Sequence, residues 1–191
     1  MKKSLGPRIA AYPTPVWVIG SYDSQGKPNA MTAAWGGVCC SEPPCIQVSV
    51  RPSRHTYTSV LARKAFTVSI PDAGHAAEAD YFGIASGQNT DKFARTGLTP
   101  VRSEIVDAPY VGEFPLVIEC RLLHSMELGA HAIFVGEIMG TLADEEALTD
   151  GKLDMAKLSP LLYSVDQRSY FGVGQVVGKA YSLGLKYHKQ D

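Results

Sequence analysis

The chain has 191 residues, of which 45% are hydrophobic and 19% charged, and its formal net charge at pH 7 is −1. This length predicts one domain over residues 1–191, and the balanced charge gives no reason to expect binding to nucleic acid or to a membrane surface. No apolar run approaches the roughly 18 residues of a membrane span. No apolar stretch follows Lys2 and Lys3, so the sequence predicts no secretory signal and a cytoplasmic location.

The predicted elements are mainly strands. Strands are predicted, in chain order, at residues 16–22, 30–38, 45–50, 66–70, 116–126 and 132–142. Residues 41–44 are expected to form a loop, because the two prolines there cannot donate hydrogen bonds to a ladder. The last two strands are expected to form a hairpin around residues 127–130.

Helical signals are fewer. Helices are predicted at residues 56–64, 74–86 and 90–96, and a further turn at 144–148. Gly97 is the natural end of the third helix. About six strands with helices between them favour a mainly β protein, a closed barrel with a few peripheral helices, over a parallel sheet built of βαβ units.

The cysteines and histidines show no metal-ligand or redox spacing. The four cysteines are Cys39, Cys40, Cys45 and Cys120. None forms a Cys-x-x-Cys pair, and adjacent strand residues point to opposite faces. Cys45 and Cys120 lie in apolar strand-like runs, and structural core thiols are the favoured interpretation over redox or metal roles. The five histidines are equally scattered, so no metal site is predicted.

The first polar cluster spans residues 29–37. Its candidate binding residues are Asn29, Ala30, Thr32, Ala33, Ala34 and Trp35. Consecutive small side chains let a flat ring lie against the backbone, whose N–H and C=O groups can then bind the edge of the ring. The alternative is a tightly packed interior strand in which Ala and Gly merely fit against a neighbour.

Three further clusters follow. In residues 51–58, Arg51, Ser53, His55 and Thr56 precede or begin a predicted helix and suit a phosphate. A simple helix cap with solvated arginines is the alternative. In residues 85–93, Ser86 and Lys92 could add contacts to the same phosphate, or could belong to a capped helix with a surface lysine. In residues 169–174, Phe171 could cover a ring or complete the core.

The order and spacing of these motifs resemble the flavin reductase-like, FMN-binding split-barrel family over nearly the whole chain. The matching segments are residues 12–16, 29–35, 41–44, 51–56, 86–87, 91–93, 96–98, 170–172 and 178–180. The resemblance implies a Greek-key split β-barrel, a homodimer, and FMN held near the subunit boundary.

The resemblance also implies roles for the cluster residues. Thr32, Ala33, Ala34 and Trp35 would line the isoalloxazine ring. Arg51, Ser53, His55, Thr56 and Lys92 would hold the phosphate. Ser86 would contact ribityl or phosphate oxygens, and Phe171 would close the pocket. No residue is assigned as a catalytic acid or base, because electron or hydride transfer to a flavin requires none.

Three functions remain open from the sequence. The leading one is an electron carrier with permanently bound FMN that exchanges electrons with a redox partner protein. The second is an NAD(P)H-dependent flavin reductase, an enzyme that supplies reduced flavin. The third is a flavin-binding sensor or interaction module without turnover. Steady NADH oxidation would distinguish the enzyme from the other two.

Overall fold

A computed structural model describes residues 1–188 of the chain. The strands lie at Thr14–Pro15 (β1), Trp17–Tyr22 (β2), Pro28–Ala33 (β3), Gly36–Ser41 (β4), Pro44–Val50 (β5), Ala65–Ile70 (β6), Pro100–Arg102 (β7), Pro109–Val111 (β8), Leu116–Leu128 (β9), His131–Ala143 (β10), Leu148–Thr149 (β11), Lys152–Leu153 (β12), Leu162–Ser164 (β13) and Ser169–Phe171 (β14). The α-helices lie at His55–Arg63 (α1), Ala76–Ile84 (α2), Lys92–Thr96 (α3) and Met155–Leu158 (α4). In the described part of the chain, no helix has the length and hydropathy needed to cross a membrane.

Seven strands form one antiparallel sheet in the order β3-β2-β6-β9-β10-β5-β4. The edge strands β3 and β4 follow each other in the chain and are separated only by Ala34 and Trp35, so the sheet must curl until its two edges meet. Beside this seam, the backbone N–H of Ser49 donates to the carbonyl oxygen of Trp35 at 2.8 Å. The order combines hairpin neighbours with long connections, as in a Greek key. The predicted mainly β split barrel with peripheral helices is confirmed.

Strand β2 is buried on both faces, because two helices cover the face that points away from the barrel interior. Alternate strand residues point to opposite faces. Ile19 accordingly packs inside the barrel with Phe66 and Phe134. Val18 faces outward into a second core with Phe82 of α2 and Phe93 of α3. Helices α2 and α3 are therefore fixed against the outside of β2 and β3.

Most predicted boundaries differ from the structure by one or two residues, and two differences concern the edges of the barrel sheet. The strand expected over residues 30–38 is broken at Ala34 and Trp35, because the chain passes there from one sheet edge to the other. The loop expected at residues 41–44 is shorter, because β4 runs to Ser41 and β5 begins at Pro44. A separate three-stranded sheet, β1-β13-β14, was not predicted.

The cysteine prediction is only partly right. Cys45 and Cys120 are buried, as expected, but Cys39 and Cys40 are exposed, so they are not core thiols. Both lie on the edge strand β4, where a register shift between Val38 and Cys40 interrupts the pairing with β5. An edge strand beyond such an irregularity covers no core, which leaves its side chains in solvent. All four thiols are free.

Candidate functional site

Two adjoining cavities lie where the barrel seam meets α1 and α2. The first, of about 230 Å³ and here named the polar cavity, is lined by Asn29, Met31, Arg51, Ser53, Arg54, His55, Thr56, Ala85, Ser86, Gly87 and Lys92. The second, of about 490 Å³ and here named the seam cavity, is lined by residues that include Thr32, Ala33, Ala34, Trp35, Asp80, Gly83, His131, Tyr163, Arg168 and Tyr170. Both are lined by Met31, Arg51 and Arg54, so they form one continuous cleft.

Helix α1 begins at the polar cavity. Its first residue is His55, and the residue before it, Arg54, provides no side-chain cap. The N–H of Tyr57 donates to the carbonyl of Arg54, but those of His55 and Thr56 have no acceptor within residues 1–188 and are available to an anion, and the helix dipole adds positive potential there. Within residues 1–188, neither Arg51 nor Arg54 forms an ion pair with a carboxylate. This end of the cleft therefore has unpaired positive charge.

Lys92 forms the floor of the polar cavity. Its side chain is buried, and Nζ donates to the carbonyl oxygens of Ala30 at 2.6 Å and Phe82 at 2.9 Å. Burial, and then the nearby charge of Arg54, lower the pKa of Lys92 to about 8. An ammonium has three donors, so one remains for a ligand. Lys92 is thus a buried cation rather than the surface lysine of the alternative interpretation.

Asn29 and Gly87 meet at the opposite wall. Asn29 Nδ2 donates to Thr56 Oγ1 at 3.0 Å, whereas Oδ1 is buried and has no donor among residues 1–188. A Cβ at Gly87 would lie 2.2 Å from Asn29 Oδ1 and 3.0 Å from the His55 ring. Only glycine fits this close approach. Buried acceptors are normally satisfied, so the orphaned oxygen is suited to a ligand hydroxyl.

The floor of the seam cavity is the free edge of β3. The carbonyl of Ala30 points away from β2 toward Lys92, and the two-residue period of a strand turns the backbone groups of Thr32 to the same side. The Thr32 hydroxyl donates to the carbonyl of Ala79 in α2. A strip of small residues with outward N–H and C=O groups can bind the edge of a flat polar ring.

The outer wall comes from a hairpin that the sequence did not predict. Tyr163 of β13 and Tyr170 of β14 pack with their ring centroids 5.7 Å apart. Tyr170 donates its phenol proton to Asp80 Oδ1 of α2 at 2.8 Å. Burial, and then the Asp80 carboxylate, raise the pKa of Tyr170 above its ordinary value. Arg168 of this hairpin and His131 of β10 complete the wall.

The structure gathers most of the predicted site residues. Asn29, Arg51, Ser53, His55, Thr56, Ser86 and Lys92 line the polar cavity, and Thr32, Ala33, Ala34 and Trp35 line the seam cavity. Ala30 is buried beneath them, and its contribution is the carbonyl that holds Lys92.

Phe171 is not brought into this cleft. It lines a third cavity, of about 440 Å³, with Tyr12 and Leu162 on the other side of the hairpin, and its neighbour Tyr170 reaches the cleft instead. Asp80, His131 and Arg168 were missed, because they come from separate segments in which no local motif marks them.

Comparison with known proteins supports the family that the motifs suggested. A model of the flavin reductase like domain matches residues 9–172. The chain is 52% identical to a flavoredoxin of Desulfovibrio vulgaris (Miyazaki F), over 96% of this chain and all (100%) of that one, with a TM-score of 0.93. A flavoredoxin of Methanosarcina acetivorans is 30% identical over 98% of this chain and 99% of that one, with a TM-score of 0.91.

A sequence relative extends the comparison. A protein of Archaeoglobus fulgidus is 32% identical over 75% of this chain and 80% of its own length. The family match spans the barrel, both cavities and the hairpin wall. The chain belongs to the flavin reductase-like family.

Proposed function

We propose that this chain binds one FMN in the cleft and acts as an electron carrier for a redox partner protein. The observation that carries this proposal is the division of the cleft into two different ends. One end combines Arg51, Arg54, Lys92 and the start of α1, and the other offers a strip of small residues beside Trp35. FMN has the same division, with a phosphate at one end and a flat ring at the other.

The polar cavity fits a phosphate monoester. Such a group carries about −1.5 to −2 charge at neutral pH and three acceptor oxygens. Arg51 and Arg54 would pair with this charge, while the first turn of α1 would donate N–H groups. The remaining proton of Lys92 Nζ would complete the site from below. Asn29 Oδ1, which is buried without a donor within residues 1–188, would accept from a ribityl hydroxyl.

The seam cavity would hold the isoalloxazine ring. The outward backbone groups of Thr32 would bind its polar edge, and Ala34 and Trp35 would lie beside it. When bound, the flavin accepts and donates the electrons, and the protein positions it and tunes its potential. The chain's own part is to orient the ring, exclude water and place positive groups near it. Similarity to two flavoredoxins supports the carrier role.

A second candidate function is an NAD(P)H-dependent flavin reductase. Arg168 and His131 line the seam cavity, while Arg168 forms no ion pair with any residue from 1 to 188. A positive group beyond those needed for the flavin phosphate is suited to the phosphates of a nicotinamide dinucleotide. This observation keeps the reductase as the alternative.

An absorption spectrum of the purified protein, followed by anaerobic addition of NADH and then NADPH, tests both functions. A yellow protein that neither nucleotide bleaches is the expected result for a carrier. Rapid bleaching by either nucleotide would instead establish the reductase. A colourless protein that takes up no added FMN would contradict the flavin site itself.

We also propose that the protein is a homodimer. Its exposed apolar residues include Leu128 on the β9 strand and, in the C-terminal segment, Val176 and Val177, which are 89% and 94% exposed. Exposed apolar side chains are candidates for a protein interface. Light scattering after gel filtration should give twice the mass of one chain, whereas a single-chain mass at micromolar concentration would contradict the dimer. The cytoplasmic location stays a prediction.

We expect FMN affinity to fall as the pH rises above about 8, where free Lys92 loses its proton. The FMN phosphate stabilises the charged form of Lys92, so loss of the Lys92 proton weakens FMN binding. Quenching of FMN fluorescence by the apoprotein between pH 7 and 9.5 measures this. Riboflavin, which has no phosphate, is the control, and an equal decline for both flavins would exclude Lys92 as its cause.

The same lysine gives the opposite trend for the stability of the cofactor-free protein. Between about pH 8 and the ordinary lysine pKa of 10.5, folded Lys92 is neutral while the unfolded residue is charged. The unfolded state therefore binds more protons, so the stability contributed by this group rises with pH across that window. Urea unfolding of the apoprotein at several pH values checks the sign.

We expect FMN to quench the protein's tryptophan emission strongly, because Trp35 lines the seam cavity. Titration of the apoprotein with FMN, excited at the tryptophan band, measures this. A Trp35→Phe variant shows how much of the emission, and of its quenching by FMN, comes from the other tryptophan, Trp17. Equal emission with and without FMN would contradict the placement of the ring beside Trp35.

A further inference from the structure

The outer wall of the seam cavity is a hairpin that is separate from the barrel sheet. Strand β13 pairs with β14 on one side and with β1 on the other, and none of the three forms a ladder with the seven-stranded sheet. Tyr163, Arg168 and Tyr170 of this hairpin nevertheless line the seam cavity. A wall that is not part of the barrel ladder can move without breaking the barrel.

Different contacts hold the two sides of the hairpin. On the side away from the cleft, the backbone N–H of Asp166 donates to the Tyr12 hydroxyl at 3.0 Å. On the cleft side, the Tyr170 hydroxyl donates to Asp80 at 2.8 Å. Among the hydrogen bonds of the described residues, this is the one that joins the hairpin to α2. Both side chains of this bond line the seam cavity.

We propose that the hydrogen bond between Tyr170 and Asp80 is a latch that holds the hairpin over the seam cavity and slows the release of bound FMN. The inference rests on the proposed function and explains how the protein would keep its FMN bound for a long time. Both residues are positioning residues: they keep the wall closed, while the phosphate contacts lie in the polar cavity.

The chemistry of the pair suits a latch. A hydrogen bond to a carboxylate is stronger than one between neutral groups. The pKa of Tyr170 is raised, so its phenol stays protonated and remains a donor across the neutral range. The Tyr170 ring also packs against the core around Phe82 and Phe93, so replacing the tyrosine with phenylalanine removes the latch and keeps the packing.

The test is the rate of FMN release from the loaded protein, measured as the rise in flavin fluorescence after dilution far below the dissociation constant. Tyr170→Phe should release FMN about fivefold to tenfold faster, because Asp80 is exposed to solvent and its hydrogen bond falls in the ordinary net range rather than the range of a buried charged pair. Asp80→Ala should match it, since Asp80 is exposed and its loss leaves the core intact. Asp80→Asn is the matched control, because its amide oxygen still accepts the phenol proton, and it should stay within about twofold of wild type.

The double variant Tyr170→Phe with Asp80→Ala separates a latch from two independent effects. It should release FMN no faster than either single variant, since both remove the same bond. Release at the wild-type rate from Tyr170→Phe, or effects that multiply in the double variant, would overturn the latch. A wild-type protein that binds no FMN would contradict the proposed function itself. If the wild type binds FMN but Tyr170→Phe releases it at the same rate, only the latch is contradicted.

Discussion

Replacing Lys92 with methionine is expected to weaken FMN binding by about tenfold to a hundredfold, because a charge-assisted hydrogen bond contributes roughly 1.5–3 kcal/mol. The methionine also leaves the carbonyls of Ala30 and Phe82 without their donor. Fluorescence titration of the apoprotein at pH 7 measures the affinity. Thermal unfolding of the same variant shows how much of the effect comes from the fold.

Two further variants separate phosphate binding from general destabilisation. Arg51→Ala should weaken FMN binding to a similar degree with little loss of stability, since Arg51 is exposed. Arg95→Ala is the matched control: Arg95 is an exposed arginine of α3 close to Lys92 in the chain, and it lines neither cavity. If Lys92→Met and Arg51→Ala both keep FMN as tightly as wild type, the phosphate assignment is wrong. Equal losses for FMN and riboflavin would also contradict it.

Replacing Gly87 with alanine should weaken FMN binding by about tenfold, because the Asn29 amide would lose the ribityl hydroxyl and the first turn of α1, which faces the phosphate, would move with it. The new methyl carbon would lie 2.2 Å from Asn29 Oδ1, so the amide must move. That movement breaks its 3.0 Å hydrogen bond to Thr56 and shifts the first turn of α1. We expect a stability loss of about 1–3 kcal/mol, as for other overpacked sites.

The control for this variant is Gly37→Ala. Gly37 lies in β4, and the nearest atom to its added Cβ would be Gln47 Nε2 at 4.0 Å, so the methyl group meets no clash. This variant should bind FMN as wild type does. Titration and chemical unfolding of the two variants together check the result. Wild-type FMN affinity in Gly87→Ala would show that the wall formed by Asn29 is not part of the site.

The barrel was largely predictable from the sequence, whereas the position of its seam was not. The strands at Trp17–Tyr22 and Leu116–Leu128 have apolar or alternating sequences, which are typical of strands buried on one or both faces. The Gly36-Gly37 pair after Trp35 is the local signal for a break, but a glycine pair does not show that two sheet edges meet there. The Tyr163–Tyr170 hairpin was missed, since strands of three residues carry almost no pattern.

The same contrast applies to the site. Residues that act together within one segment, such as Arg51, Ser53 and Thr56, formed a visible motif. Asp80 and His131 reach the cleft from single positions in α2 and β10, and a lone polar residue in a helix or strand indicates nothing by itself. Lys92 was identified, but its burial and its two carbonyl acceptors depend on how α3 packs against β3 and α2.

The seam between β3 and β4 has a consequence for the protein's abundance. The cleft exists only after the two sheet edges have met, so FMN can bind only to the closed barrel. A ligand that binds only the folded state stabilises it by about 2.7 kcal/mol at a hundredfold excess over the dissociation constant. Chains made while flavin is scarce would spend more time with the barrel unclosed and would be degraded faster. The amount of this protein in a cell would then follow the supply of its cofactor.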